Sequence, residues 1–467
     1  MRLREPLIRT LICLTLGSFV LAGCTNSKGS GESPDQDTAD GGAPAAGEAS
    51  LGPAVTGEPT GSMPWALTPV LAESGTLFAV NNLMDVASQG MWELGAGVSA
   101  FDLATGEQRW HIDYDADVFG IDPAALPTEA TAEVFSNKEG KIAIVFSSMT
   151  CPGDECTGEE TEDFALVVAD AQSGEVLSST VGTGAFPTVV AFVGDVVAYA
   201  PDWEQITAVK ADAASGEPVW QSATFDIYPD SVIDGAVFTA IPEDVPDSLG
   251  WVMVADGSPA GYSLDLDAYQ SFHLDGPEQA FVTWGDGEDH VVEMVDPKTS
   301  ELIWQAVVPA SEEENETLQV TATRVVLSYD SEDGYRTVAL NRETGEQVWT
   351  RDDASAGQVT DNWALLDNSG TATTWEIVNV EDGAKVSSID ASTDILPSVE
   401  LLPDIALVAH SGVLEARPLT GENAGSDAPV WSIETASPDS EVTSQLGELV
   451  VIDPQSGSTQ LVELDQG

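Results

Sequence analysis

The sequence is poor in basic residues. It contains 15 lysines and arginines against 79 aspartates and glutamates, which gives a formal net charge of −64 at pH 7. A surface of this sign repels the phosphates of nucleic acids and of anionic lipid headgroups, and it favours a soluble monomer. The composition therefore excludes DNA and RNA as partners. Two interpretations of the charge stay open: attraction of cations or basic partners, and solvation in a saline environment.

Histidines, cysteines and catalytic signatures are also scarce. The four histidines are scattered: His111, His273, His290 and His410. There is no nucleophile elbow Gly-x-Ser-x-Gly, no His-Glu-x-x-His, no phosphate-binding loop and no Gly-x-Gly-x-x-Gly. His111–Val118 offers alternating carboxylates, but Val118 stands where an EF-hand loop needs glycine and Ala124 where it needs glutamate. We therefore predict no catalytic residue, no metal ligand and no cofactor.

The sequence has no apolar run long enough to cross a bilayer. The run Leu11–Ala22, preceded by Arg2, Arg4 and Arg9, has the proportions of a signal peptide. It ends in Leu-Ala-Gly-Cys24, which resembles the lipobox of bacterial lipoproteins. The resemblance implies a signal peptide at 1–23, a lipidated Cys24 and membrane lipid as a partner. It also implies a protein held at the extracytoplasmic face of the cell membrane.

The next stretch has little to bury. Residues 24–62 are rich in Gly, Ser, Ala, Pro, Asp and Glu, so we predict a disordered linker that follows the lipidated cysteine. The remaining residues 63–467 are dense in Val, Ile and Leu and carry the folded domain.

Within that domain, one turn recurs. Ala100-Phe101-Asp102-Leu103-Ala104-Thr105-Gly106-Glu107-Gln108-Arg109-Trp110 alternates as strand, tight turn and strand. Aspartate at the head of such a turn bonds downstream amides, and glycine tolerates the positive φ that closes it. The copies are Asp102–Gly106, Asp170–Gly174, Asp212–Gly216, Asp296–Ser300, Asn341–Gly345, Asn379–Gly383 and Arg417–Gly421. A tryptophan follows the first turn position by eight residues in four of them: Trp110, Trp220, Trp304 and Trp349.

These copies resemble the PQQ-like β-propeller repeat of quinoprotein dehydrogenases and their non-enzymatic relatives, and they cover nearly all of 63–467. The resemblance implies an all-β fold, a β-propeller of four-stranded blades in which each repeat tryptophan packs between neighbouring blades. The turn residues and tryptophans are thus predicted to be structural. The enzymes of this family hold their quinone against adjacent cysteines, which this chain lacks. Quinoprotein activity is therefore the least favoured function.

The blade count follows from spacing. The later copies lie 45, 38 and 38 residues apart, the length of one four-stranded blade. The gap from Asp212 to Asp296 is twice as long and holds a degenerate unit. A C-terminal hairpin pairs 448–453 with 459–464, and Pro64–Leu67 is predicted to supply the missing last strand. We predict eight blades, with seven as the alternative.

Two further features bear on function. Cys151 and Cys156, in Cys-Pro-Gly-Asp-Glu-Cys, are predicted to form a disulfide that pins an inserted loop of the second blade. Insertions that break the repeat spacing, Met84–Leu94, Thr150–Asp163 and Pro242–Gly250, are predicted to bind a protein partner. The sequence thus favours a non-enzymatic binding or scaffold platform. Its lipobox, linker and repeat are similar to those of the propeller lipoprotein of the outer-membrane β-barrel assembly machine, a resemblance that implies the architecture and not the role. The alternative is a sensor of a small molecule, a cation or a wall glycan.

Overall fold

The fold comes from a computed structural model. It describes residues 49–51, 67–72, 76–81, 97–102, 105–113, 129–137, 140–149, 162–184, 188–202, 205–211, 217–223, 232–233, 235–238, 251–265, 269–286, 289–309, 316–331, 334–367, 374–391, 397–421, 423–426, 428–435, 437–445, 448–453 and 458–464. All of these belong to one compact unit, Gln36–Gly467. A second unit, Met1–Asp35, lies outside the described residues.

The described elements are β-strands, apart from one short 3-10 helix at Gly276–Glu278. Strand β1 (Ala49–Leu51) comes first in sequence. The first sheet contains β2 (Leu67–Ala72), β3 (Thr76–Asn81), β4 (Gly97–Asp102) and β5 (Gln108–Asp113). The second contains β6 (Glu129–Ser136), β7 (Lys141–Met149), β8 (Glu162–Asp170) and β9 (Val176–Gly184). The third contains β10 (Thr188–Val193), β11 (Val196–Asp202), β12 (Gln205–Lys210) and β13 (Pro218–Ala223).

The middle of the chain contributes three more sheets. The fourth has three strands, β14 (Val232–Ile233), β15 (Ala236–Phe238) and β16 (Trp251–Met253). The fifth contains β17 (Ser271–Leu274), β18 (Ala280–Asp286), β19 (Asp289–Asp296) and β20 (Glu301–Pro309). The sixth contains β21 (Glu316–Val320), β22 (Arg324–Ser331), β23 (Gly334–Asn341) and β24 (Gln347–Asp352).

The last part of the chain completes the set. The seventh sheet contains β25 (Ser355–Val359), β26 (Trp363–Asp367), β27 (Thr374–Asn379) and β28 (Lys385–Asp390). The eighth contains β29 (Ser398–Leu401), β30 (Ile405–His410), β31 (Val413–Pro418) and β32 (Trp431–Glu434). The ninth contains β33 (Glu441–Gln445), β34 (Glu448–Asp453), β35 (Ser458–Leu464) and, at its edge, β1. No described segment forms a helix long and apolar enough to span a membrane.

Each sheet is an antiparallel meander whose strands neighbour one another in chain order, except that β1 pairs with β35 in the ninth sheet. The inner strands are apolar on both faces, so runs such as Ile142–Phe146 and Val325–Leu327 are fully buried. The outer strands alternate between buried and exposed residues, as β20 does. This division is expected where sheets stack face to face and only the outermost strand meets solvent.

The core lies between consecutive sheets. Phe78 and Trp110 of the first sheet pack with Ile142 and Ala165 of the second. Similar clusters join each later pair, down to the eighth and ninth sheets. No sheet can bury its apolar face alone, which is why the repeated units stack. These features are those of the predicted all-β propeller class of four-stranded blades.

The structure corrects the blade count and the closing strand. The described residues form nine sheets rather than eight or seven, because the degenerate unit between Asp212 and Asp296 is a sheet in its own right, the fourth. The C-terminal hairpin is present as β34 and β35. Its outer neighbour is Ala49–Leu51, however, which pairs Ala49 with Leu464 and Leu51 with Val462. Leu67 instead begins β2, which pairs locally with β3.

The same strand revises the domain boundary. The range 24–62, predicted to be a disordered linker, contains β1. The sequence obscured this strand because three residues carry almost no alternation to detect. Leu51 nonetheless packs against the cluster of the last two sheets, as Trp431 does.

Candidate functional site

The repeat turn is built by its first residue. In Asp170–Gly174 the amide of Gly174 donates to the Asp170 carbonyl at 2.9 Å. The Asp170 carboxylate accepts from the amides of Gln172 and Ser173 and from the Ser173 hydroxyl, at 2.8–3.1 Å. Bonds from Ser173 lower the pKa of Asp170 because they favour the charged form.

Other copies repeat this geometry. The backbone bond from the fifth turn residue to the first is 2.7–2.8 Å in Asp102–Gly106, Asp296–Ser300, Asn341–Gly345 and Asn379–Gly383. A hydrogen bond from the Arg109 side chain lowers the pKa of Asp102, and a hydrogen bond from the amide of Thr105 lowers it to a smaller extent. Asn341 accepts from two turn amides at 3.0 Å through Oδ1, so a neutral side chain serves as well. Asp212 and Gly216 lie outside the described residues.

The repeat tryptophan reaches the next sheet. The indole Nε1 of Trp110 donates to the carbonyl of Ala171, the second residue of the following turn, at 3.1 Å. Trp304 donates in the same way to Arg342 and Trp349 to Val380, both at 2.8 Å. We call this contact, tryptophan to the next sheet's turn, the seam.

Glycine at the fifth turn position has two roles in the seam. Gly345 has a φ of 71°, and a Cβ placed on it would lie 2.5 Å from a ring carbon of Trp304. Gly174 and Gly383 face Trp110 and Trp349 at similarly short range. The position therefore needs glycine for its backbone conformation and for the close approach of the indole.

Ser300 shows that the fifth turn position can carry a side chain when no described indole packs against it. It occupies the same turn position with a φ of 55°, where no seam tryptophan from the fourth sheet is described. Its hydroxyl instead donates to the Ser263 carbonyl at 2.9 Å, and the Ser263 hydroxyl donates to Lys298 at 2.6 Å. A side chain is thus tolerated where the indole is missing.

The structure adds seam residues that spacing did not indicate. Trp220 donates at 2.8 Å to Val254 and packs on Gly257, so Met253–Gly257 is a further copy of the turn. Methionine at its head hid it, because the closing bond goes to the backbone carbonyl, as in the copies described above, and does not require an aspartate side chain. Ser178 takes the tryptophan position in the second sheet and donates to Ala211 at 2.8 Å. In the eighth sheet Trp431 lies opposite Ala416 on the neighbouring strand, as Trp110 lies opposite Ala100, but the turn between the two strands is longer.

Scarce cations also bridge sheets. Of the basic residues the structure describes, five make side-chain bonds to a neighbouring sheet: Lys141 to Asp195, Arg324 to Glu381, Arg342 to Asp275, Arg351 to Gly383 and Arg417 to Ser388. Arg342 also donates to Gln279 at 2.9 Å and lies 5.4 Å from the centre of the Phe281 ring. The few positive charges are therefore used within the fold.

A buried polar cluster spans the fifth and sixth sheets. Glu316 accepts from the Thr283 hydroxyl, and its other oxygen lies 3.4 Å from His290 Nδ1. The His290 ring meets Tyr329 edge-on with centroids 5.3 Å apart, and burial raises the pKa of Tyr329. Both His290 nitrogens lack a hydrogen-bond partner within the described structure. Because His290 and the Glu316 side chain are 3–4% exposed, the cluster fills the core and presents no reactive surface.

The remaining histidines also lie on strands. His111 is on β5 and bonds Ser99 at 2.8 Å; His410, on β30, lies 3.4 Å from Glu415. Burial lowers the pKa of His273 on β17. The described residues contain no group of three or more His, Cys, Asp or Glu placed to hold a metal.

The residues present do not fit a PQQ cofactor. The chain has no adjacent cysteines. The indole N–H groups of four repeat tryptophans already donate to backbone carbonyls in the seam: Trp110, Trp220, Trp304 and Trp349. Cys24, Cys151 and Cys156 lie outside the described residues. So do Met84–Leu94, Pro242–Gly250 and all of Thr150–Asp163 except its last two residues.

The two ends of each sheet therefore differ. The repeat turn joins the third strand to the fourth, and the seam occupies it. The connection from the second strand to the third leaves at the opposite end. In the first, second and fourth sheets this connection is long, at 82–96, 150–161 and 239–250, whereas it is only 287–288 and 332–333 in the fifth and sixth. All three predicted insertions coincide with these long connections.

Comparison with known proteins yields structural similarity only. No protein-family model matches the chain, and no curated protein matches its sequence. Among solved structures, BamB from Moraxella catarrhalis is 14% identical, covering 90% of this chain and 99% of its own, with a TM-score of 0.43. The Dos1 propeller is 12% identical, covering 86% and 96%, with a TM-score of 0.46. The C-terminal WD40 domain of Sif2 is 8% identical, covering 89% and 98%, with a TM-score of 0.39. Similarity at this level transfers neither role nor partner.

Proposed function

We propose that this chain is a non-enzymatic lipoprotein, anchored through Cys24 at the extracytoplasmic face of the membrane, whose propeller binds a partner protein. One observation carries the proposal. The repeat turns at one end of the sheets are occupied by seam contacts, whereas the three connections that contain the predicted insertions, 82–96, 150–161 and 239–250, all leave from the opposite end. Binding surfaces on rigid β folds commonly lie on such connections, because the strands are used for packing.

Charge narrows the class of partner. With a net charge of −64, the protein attracts basic surfaces and repels nucleic acid and copies of itself. A monomer that binds a basic protein is therefore the arrangement that the electrostatics favour. The Cys151–Cys156 disulfide would fix one of the three binding connections.

Crosslinking in intact cells tests the proposal. Cells carry the tagged full chain or variants in which 84–94, 152–161 or 242–250 are replaced by Gly-Ser segments of equal length. A Glu343→Ser variant, altered at an exposed turn on the opposite end, is the matched control. We expect one dominant crosslinked protein that the control retains and at least one replacement loses.

A Cys24→Ala variant tests the anchor. We expect it to leave the membrane fraction and to lose the crosslink. Capture of the same protein by all three replacements would overturn the placement on the connections. If no protein is captured reproducibly, the chain is a sensor, and ligand screens by thermal shift replace the scaffold hypothesis. Dye reduction with added PQQ, Ca²⁺ and an alcohol would overturn the non-enzymatic role.

A further inference from the structure

The exposed apolar side chains are confined to the outer strands. Among the described residues, the large apolar side chains that are well exposed all lie on or beside the fourth strand of a sheet: Val176, Val181, Val219, Leu302, Ile303, Val307, Val348 and Val430. Four of them directly precede a tryptophan. One such residue on a strand is ordinary, because successive side chains alternate and the seam takes only one face.

Strand β20 departs from that pattern. It is nine residues long and carries three exposed apolar residues, with Leu302 at 49%, Ile303 at 50% and Val307 at 57% exposure. It is the end strand of its sheet, so its outer side presents backbone groups that no described strand pairs.

The strand lacks the usual protection of an edge. Natural edges are blunted by lysine, by proline, by bulges or by shortness. In β20 the bulge lies at its start, opposite Met294 and Val295, and proline comes only at its last position, Pro309. Between them, no lysine or arginine interrupts Leu302–Val308.

Carboxylates border this apolar stripe. Glu301 begins the strand, and Glu293 on β19 is paired with Gln305, whose side-chain amide donates to it at 2.9 Å. Burial, followed by the charges of Glu293 and Asp265, raises the pKa of Tyr269. The edge thus combines unpaired backbone, apolar side chains and negative charge.

We propose that β20 binds an extended segment of a partner protein, in which apolar residues alternate with lysine or arginine, as an added strand. Backbone bonds would supply affinity, the apolar residues would cover Ile303 and Val307, and the cations would face the carboxylates. A second copy of this chain is a poorer occupant, because the same acidic border would face itself. The proposal concerns a surface other than the connections and goes beyond the proposed function.

A labelled peptide tests it directly. The probe is a peptide of alternating valine and lysine, about eight residues long to match the strand, titrated by fluorescence anisotropy onto the full chain. Its matched control has the same sequence with consecutive N-methylated residues, which keeps charge and apolarity but removes backbone donors. We expect N-methylation to weaken binding about tenfold. Hydrogen exchange should slow in 301–309 when the unmethylated peptide is bound.

Protein variants locate the contact. Ile303→Lys with Val307→Lys adds two charges to β20; Val348→Lys with Thr350→Lys adds the same charges to β24, where Val348 also directly precedes a tryptophan. We expect about tenfold weaker binding for the first pair and less than twofold for the second. Equal losses in both pairs, or equal binding of the N-methylated peptide, would show non-specific attraction to an acidic surface and overturn the proposal. A dimer in sedimentation that the first pair abolishes would overturn it in favour of self-association. None of these outcomes changes the interpretation of the crosslinking experiment, which tests the long connections and not β20.

Discussion

The indole of each seam closes on one glycine, which makes that glycine sensitive to substitution for two separate reasons. At Gly345 the positive φ and the Trp304 ring both oppose a side chain, whereas at Gly140 the φ is 76° but no atom lies within 4 Å of the place that an alanine Cβ would take. The two sites therefore separate backbone strain from crowding.

We expect Gly140→Ala to lower the free energy of unfolding by about 1 kcal/mol, the cost of a left-handed alanine. Gly345→Ala should cost roughly 2–4 kcal/mol, because the indole must also move. Urea unfolding followed by tryptophan fluorescence measures both. Equal losses at the two sites would mean that Trp304 adjusts without cost.

Substitutions at Asp170, the first residue of its turn, can distinguish the contribution of its charge to stability from the contribution of its hydrogen bonds. Asp170→Ala removes three accepted bonds and should cost about 1–2 kcal/mol. Asp170→Asn keeps an acceptor, as Asn341 does, and should cost less than half as much at neutral pH. Urea titrations of the two variants and the parent give these values.

The pH dependence has a definite sign. The pKa of Asp170 is lowered from the ordinary 3.8 in the folded state. Its ionised form therefore stabilises the fold above that pH, and the contribution is lost as the pH falls through the folded-state pKa. We expect Asp170→Asn to lose less stability than the parent when the pH is taken below 3.8. A constant difference between them across that range would contradict the assignment.

At the scale of the element, truncation of the chain tests how much β1 contributes to stability. A chain starting at residue 53 lacks β1 and exposes the edge of β35, whereas a chain starting at residue 36 retains it. Leu51 is half-buried, so its burial contributes less than the roughly 1.5–3 kcal/mol of a fully buried leucine. The shorter chain should therefore melt at a lower temperature. Its tryptophan emission should also shift to longer wavelength, because β1 lies beside β32, the strand that begins with Trp431.

Leu51→Ala in the longer chain is the matched control and should show a smaller loss of stability. Identical melting of the two chains would mean that the last sheet is stable with three strands.

Local pattern explains which elements the sequence revealed. The recurring five-residue turn, followed by tryptophan in four of its seven copies, located the third and fourth strands in most sheets, because the turn is set by residues close in sequence. Met253–Gly257 escaped detection because its first residue is methionine, and the closing bond to a backbone carbonyl leaves no mark in the sequence. Ala49–Leu51 escaped because its partner lies at the far end of the chain.

The candidate site could likewise be predicted only where its residues are close in sequence. The seam tryptophans could be named from spacing, but the atoms they contact belong to the next repeat and required the fold. His290 and Glu316 come together only through packing of the fifth and sixth sheets. No spacing in the sequence relates them, so the cluster could not be anticipated.

Across the whole molecule, the excess of negative charge acts over the longest range. A net charge of −64 destabilises a compact chain by self-repulsion, while the five bridging cations act locally between sheets. Screening should weaken the long-range repulsion more than the short contacts.

We therefore expect the melting temperature to rise by roughly 5 °C between low salt and about 1 M NaCl. Choline chloride at equal ionic strength is the control, since it screens but coordinates poorly. Equal shifts would identify screening. A larger rise with Ca²⁺ at matched ionic strength would instead indicate that the acidic surface binds cations.

The pairing of Ala49 with Leu464 also sets an order in time. The ribosome makes β1 before any other described strand and β35 after all of them, so the earliest strand must wait for its partner until β35 has been made. Every sheet but the last can form as its own residues emerge. Completion of the ninth sheet thus reports that every described strand has been made, and a chain that stops short of β35 leaves β1 without its partner.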